Sequence, residues 1–203
     1  MNRIRRAALA VACALALGAC ATATKSNVSW ENPEAKPLSV KPGAKVLALV
    51  LIANDGMRRM SEDSLAGEIS ARGLQGVPAY TVLPTDLPKD KDQAKAAVVK
   101  AGAVGAVVMR VLAKESVGSA QLSKTVTYTA TWDSASGWST PYNPSDMRSD
   151  TVVVVETLVY DLGQDKLVWA GQTQSTSPKK VDGLIREIAA TTAAQLRQQG
   201  VSR

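Results

Sequence analysis

The chain has 203 residues, no histidine and no phenylalanine, and 24 Lys and Arg against 18 Asp and Glu, a formal net charge of +6. Without histidine there is no imidazole to act as a general base near neutral pH or to ligate zinc. Arg3, Arg5 and Arg6 belong to the opening segment, and setting them aside leaves 21 basic against 18 acidic residues, too even and too scattered for a nucleic-acid surface.

The first element is an export signal. After the three arginines, Ala7 to Leu17 form an apolar run too short to cross a bilayer as a permanent helix. Small residues follow, and the segment closes on Leu17-Gly18-Ala19-Cys20. This ending resembles the bacterial lipobox. The resemblance implies cleavage between Ala19 and Cys20 and acylation of Cys20, with chains such as palmitate anchoring the protein in a membrane. Ala21 follows the cysteine where an inner-membrane lipoprotein tends to carry aspartate, so the expected location is the periplasmic face of the outer membrane. Cys13 leaves with the signal and Cys20 is consumed by lipid. The mature chain then has no thiol for a disulfide, a nucleophile or a metal. The expected organisation is a lipoprotein signal peptide at 1–19, a lipidated tether at 20–43, and one α+β periplasmic domain at 44–203.

Residues 21–43 contain Pro33, Pro37 and Pro42 and show little periodicity, as an extended tether would. Trp30 is its large apolar residue and is expected to dock on the domain. Val46 to Ile52 is a continuous apolar run, the pattern of a strand covered on both faces. Asn54-Asp55-Gly56 has turn chemistry, and a helix is predicted from about Ser61 to Arg72, stopped by Gly73. Val77 to Leu83 reads as a short strand, near an edge because of Pro78. Asp90 and Gln93 form a capping pair for a second helix that turns Ala94, Ala97, Val98 and Ala101 inward and stops at Gly102. Val104 to Leu112 is a further buried strand.

Alternation of threonines with Val126, Tyr128, Ala130 and Trp132 predicts a half-exposed strand over 124–132. Val152 to Tyr160 and Leu167 to Thr173 are two more strands joined at Asp161 to Asp165, with Leu167 and Trp169 expected on one face. The last helix is capped by Ser177 with Pro178 in its first position. Val181, Leu184, Ile185, Ile188, Thr192 and Leu196 trace its buried stripe. The predicted class is α+β with a mixed sheet: strand-helix-strand-helix-strand, then an antiparallel extension and a C-terminal helix packed on the sheet.

The opening Lys45-Val46-Leu47 strand, the apolar Gly105-Ala106-Val107-Val108 stretch, Val159-Tyr160-Asp161-Leu162 and Lys166 to Ala170 before a final helix carry a resemblance over most of residues 44–200. They resemble a family of small bacterial envelope lipoproteins whose fold is similar to the amino-terminal domain of TolB and to the curli-export lipoprotein. The resemblance implies a non-enzymatic adaptor or accessory subunit that binds another envelope protein or the cell wall, or self-associates. It supplies no catalytic residues, metal or cofactor.

Three residue sets invite chemistry. Ser177-Pro178-Lys179-Lys180 matches the Ser-x-x-Lys nucleophile motif of penicillin-binding proteins. Its partner motifs fail, because Ser149-Asp150 is followed by Thr151 and Lys124-Thr125 by Val126. A helix cap accounts for Ser177 more simply. Asp55 and Asp86 stand near strand ends, where a periplasmic hydrolase of wall or lipid material would place paired acids, but aspartate is also a routine turn residue. The segment 133–150, with Trp138 and Tyr142 among glycine, proline and asparagine, is the candidate partner contact, or else folds both rings back over the sheet as a cover.

Overall fold

The computed structural model describes residues 24–36, 38, 40–83, 91–116, 151–176, 178 and 180–198. Strand β1 is Thr24–Glu31 and β2 is Lys45–Leu51. Helix α1 is Asp55–Ser70, β3 is Gln75–Pro78, and a 3-10 turn occupies Ala79–Thr81. Helix α2 is Lys91–Lys100 and β4 is Ala103–Ser116. Strands β5, Thr151–Asp161, and β6, Lys166–Thr176, precede helix α3, Val181–Gln198.

The described strands form one mixed sheet in the order β1-β6-β5-β4-β2-β3. Strands β3, β2 and β4 are parallel, and β5, β6 and β1 extend the sheet antiparallel. Crossovers between parallel strands are right-handed. The chain steps from β2 outward to β3 and then back past β2 to β4, so its two crossover helices must fall on opposite faces. Accordingly Val46, Ala48 and Val50 pack with Leu65 and Ile69 of α1, whereas Leu47, Leu49 and Leu51 pack with Ala94 and Val98 of α2. Helix α3 joins α1 on its face through Leu184, Ile185 and Ile188. The expected architecture, a mixed sheet with a C-terminal helix packed on it, is therefore present.

Several boundaries differ from expectation for identifiable reasons. Helix α1 starts at Asp55 rather than Ser61, because Asn54 acts as a cap: its side chain accepts a hydrogen bond from Met57 N at 3.0 Å. Residues suited to a turn are equally suited to a helix start. Gly73 ends the helix region at φ +85°, and Gly102 does the same after α2 at φ +78°. β3 stops at Pro78 and the chain turns into Ala79–Thr81, so the strand expected over Val77 to Leu83 is shorter. Helix α3 begins at Val181, with Leu184 N bonded to the Lys180 carbonyl, so Pro178 precedes the helix instead of occupying its first position. The strand expected at 124–132 lies outside the described residues.

The segment expected as a tether over 20–43 contains a sheet strand. β1 pairs with β6 from Thr24 opposite Ser175 to Glu31 opposite Trp169. Trp30 packs against the core cluster that includes Leu158 and Ala170, and Asn32 Nδ2 donates to the Leu167 carbonyl at 2.9 Å. A threonine, a valine and a tryptophan in extended chain suit a pleated surface, and pairing them satisfies backbone groups along β6.

β6 also breaks the expected alternation. The pairing slips at Val168, so that Val159 faces Trp169 while Tyr160 faces Leu167. This bulge turns Leu167 toward the α2 face and both Val168 and Trp169 toward the α3 face, where Leu196 meets them. Leu167 and Trp169 are therefore on opposite faces.

Candidate functional site

Open sheets with parallel strands bind ligands outside the carboxyl ends of those strands, where neighbouring crossovers leave on opposite faces. Here that place is the end of β2 beside β4, and Asp55 lies at it. Asp55 opens α1, where an acid complements the helix dipole. Its Oδ1 accepts from Arg58 Nη2 at 2.7 Å and its Oδ2 from Arg59 Nε at 2.8 Å. These two hydrogen bonds lower the Asp55 pKa from the ordinary aspartate value, so the carboxylate is held ionised by two cations. An acid so engaged is a poor proton donor.

Arg58 lies one turn further along α1 and Glu62 two turns further, and both are buried. Arg58 Nη1 stands 3.7 Å from Glu62 Oε1, an ion pair without a hydrogen bond. Glu62 accepts instead from the backbone, Val50 N at 3.4 Å and Tyr80 N at 2.8 Å. Burial nevertheless raises its pKa above the ordinary glutamate value. With 0 % of its surface exposed, Glu62 reaches no substrate. It ties the middle of α1 to β2 and to the turn after β3. Nearby, the Arg59 guanidinium lies 5.1 Å from the centre of the Tyr80 ring, and Tyr80 Oη donates to Asp63 Oδ1 at 2.9 Å. The cluster is a set of mutual clamps.

The second concave feature lies at the opposite end of the sheet. Between the C-terminal halves of α1 and α3 there is an apolar cavity of about 490 Å³, floored by β2, β4 and β5. Its walls include Leu65, Ile69 and Leu196, and small residues, Ala189, Ala193 and Gly105, leave the space open. Its size is that of a small-molecule pocket. Sequence patterns gave no sign of it, since it needs two helices and a sheet brought together from distant parts of the chain.

The remaining candidates divide clearly. Lys180 is exposed, and its motif partner Ser177 lies outside the described residues. So do Ala19, Cys20, Asp86, Trp138 and Tyr142. No group of three or more metal-ligating side chains occurs among the described residues, and no helix among them is long and apolar enough to cross a membrane.

No family model matches the chain, and no curated protein does. Solved structures similar to it include the PelC dodecamer of Paraburkholderia phytofirmans, with 12 % identity, a TM-score of 0.46, and coverage of 86 % of this chain and 97 % of that one. A point variant of the same PelC dodecamer has 12 % identity, a TM-score of 0.45, and coverage of 85 % and 96 %. Lipoprotein GNA1162 of Neisseria meningitidis has 14 % identity, a TM-score of 0.39, and coverage of 77 % and 97 %. Likeness at this level establishes neither family membership nor a shared activity.

Proposed function

We propose that this protein is a non-enzymatic lipoprotein of the cell envelope, held at the periplasmic face of the outer membrane by acyl chains on Cys20, and that its α+β domain is an adaptor for another envelope component. The observation that carries the location is the ordered series of Arg3 to Arg6, the apolar run to Leu17, and Leu17-Gly18-Ala19-Cys20. The geometry supports the non-enzymatic part. Asp55, the described member of the candidate acid pair, is locked between Arg58 and Arg59, and Glu62 behind it is buried as a brace.

Metabolic labelling with a clickable palmitate analogue tests the anchor. The natural chain takes up label and sediments with outer membrane, and Cys20→Ala loses both properties. A natural chain that carries no label, or that fractionates with the cytosol, overturns the proposal. In-cell crosslinking tests the adaptor: a discrete partner is expected, and Trp138→Ala with Tyr142→Ala should abolish its capture. If the partner is captured unchanged, the 133–150 segment is not the contact.

A further inference from the structure

We infer that the cavity between α1 and α3 binds the hydrocarbon chain of a single-chain amphiphile, with its anionic head at the mouth beside Arg197. Protein interiors are packed nearly as closely as organic crystals and leave few voids larger than a water molecule. The half-open space of about 490 Å³ here is instead the size of a ligand pocket, and it stays open because Ala189 and Ala193 line it from α3 and Gly105 from the sheet. An apolar cavity left unfilled weakens the fold, and one lined by aliphatic side chains has no affinity for water. Hydrocarbon is the chemistry that complements Leu65, Ile69, Met109 and Leu196.

Two polar features orient the ligand. The Thr192 hydroxyl lines the cavity, is 4 % exposed as a residue, and has no hydrogen-bond partner among the described residues. A buried hydroxyl without a partner is costly, and a polar group near the ligand's head would satisfy it. At the mouth stand Glu68, Arg72 and Arg197. Glu68 and Arg72 neutralise each other at 2.8 Å, whereas Arg197 is exposed and forms no ion pair among the described residues. One uncompensated guanidinium beside an apolar hole suits a carboxylate or phosphate head on one acyl chain.

β1 runs along α3 beside the cavity, with Thr24 bonded to Glu187 and Ser26 to Gln195. The experiment therefore uses a Cys20→Ala chain, which removes the protein's own acyl chains as occupants. A free fatty acid and a lysophospholipid share the required chemistry, and the experiment separates them.

Cells expressing full-length Cys20→Ala, which has no acylation site, are fed a photoactivatable, clickable palmitate. After irradiation the crosslinks should map to the cavity-facing peptides of α1 and α3. Ala193→Trp, which fills the cavity, should reduce that labelling by about tenfold, equivalent to about 1.4 kcal/mol of binding. Should Ala193→Trp fail to accumulate, Ala189→Leu serves the same purpose. Displacement from the purified protein then distinguishes the sources, with palmitic acid and palmitoyl-lysophosphatidylglycerol as competitors. Arg197→Glu should weaken the better competitor but leave hexadecanol unchanged, a split that a merely structural arginine would not produce. Crosslinks scattered over the surface, absent from α1 and α3, or undiminished in a folded cavity-filling variant overturn the inference.

Discussion

The parallel half of the sheet, β3, β2 and β4, and the antiparallel half, β5, β6 and β1, are buried by different means. β2 is apolar on both sides because α1 and α2 cover opposite faces, and every residue from Val46 to Ile52 is buried. Contact there is close enough that shape decides which residues fit. A Cβ on Gly76 of β3 would lie 2.1 Å from the Ala66 carbonyl oxygen of α1. In the antiparallel half, Glu156, Thr157, Gln172, Thr173 and Ser175 are all buried. Arg110 pairs with Glu156, and Thr173 Oγ1 donates to the Val155 carbonyl at 3.3 Å. Two large rings fill this half, Tyr160 of β5 and Trp169 of β6, and Trp169 folds across Gly171, where a Cβ would meet the indole at 2.2 Å. The first half thus depends on close approach of backbone elements, and the second on buried aromatic side chains among polar groups, most of them engaged but the Thr157 hydroxyl without a partner among the described residues.

Substitutions can break this contrast. The largest effect is expected at Trp169→Ala, which empties the centre of the antiparallel half and should cost about 4 kcal/mol in urea denaturation. A loss below about 1 kcal/mol would show that the ring does not hold that half together. Gly76→Ala should cost about 3 kcal/mol, because the obstruction is α1 backbone rather than a movable side chain. If it is neutral, β3 yields freely and the tight fit is not essential.

Glu62 sharpens the comparison through pH. Burial raises its folded pKa, so on raising the pH the unfolded carboxyl, near 4.3, loses its proton first. The stability associated with this group is full below about pH 4 and is lost as pH climbs through the folded value. Thermal melts from pH 4 to 8 should therefore show a decline in the natural protein that Glu62→Gln lacks. Parallel melting curves for the two would remove Glu62 from the account. The smallest effect is expected at Asn54→Ala, about 1 kcal/mol from the lost cap on α1. A change in the strand β6 amide exchange on that substitution would show that the cap is felt across the sheet, through the cluster that α1 shares with β5 and α3.

The elements legible in the sequence were those whose pattern is local. The run from Val46 to Ile52 and the stripe from Val181 to Leu196 each declare their buried sides, and the structure buries them as expected except Leu196, which is half-buried. β1 was illegible because its partner β6 lies more than a hundred residues away, as the Thr24 to Ser175 contact illustrates. Its eight residues, with polar side chains around Val28 and Trp30, resemble exposed chain until β6 is beside them. The bulge at Val168 leaves no mark on hydrophobic alternation, so the orientation of Trp169 came only with the pairing. Of the candidate sites, Asp55 was visible by residue type, but its two arginine partners were not, since the helix carrying them starts at Asp55 itself, well before its apolar spacing suggests. The cavity was invisible for a third reason: alanines and glycines look the same whether they admit a neighbour or leave room.

The pairing of β1 with β6 has a mechanical consequence for a chain anchored at Cys20. Thr24 is fastened to Ser175 and, through its hydroxyl at 2.5 Å, to Glu187 of α3. If Cys20 is acylated as proposed, the chain from it to Thr24 is about four residues long and can extend at most about 14 Å, where a slack chain to β2 at Lys45 would reach roughly 85 Å. With Cys20 acylated as proposed, such a body would ride close against its membrane, and a partner would have to come down to that surface to meet it.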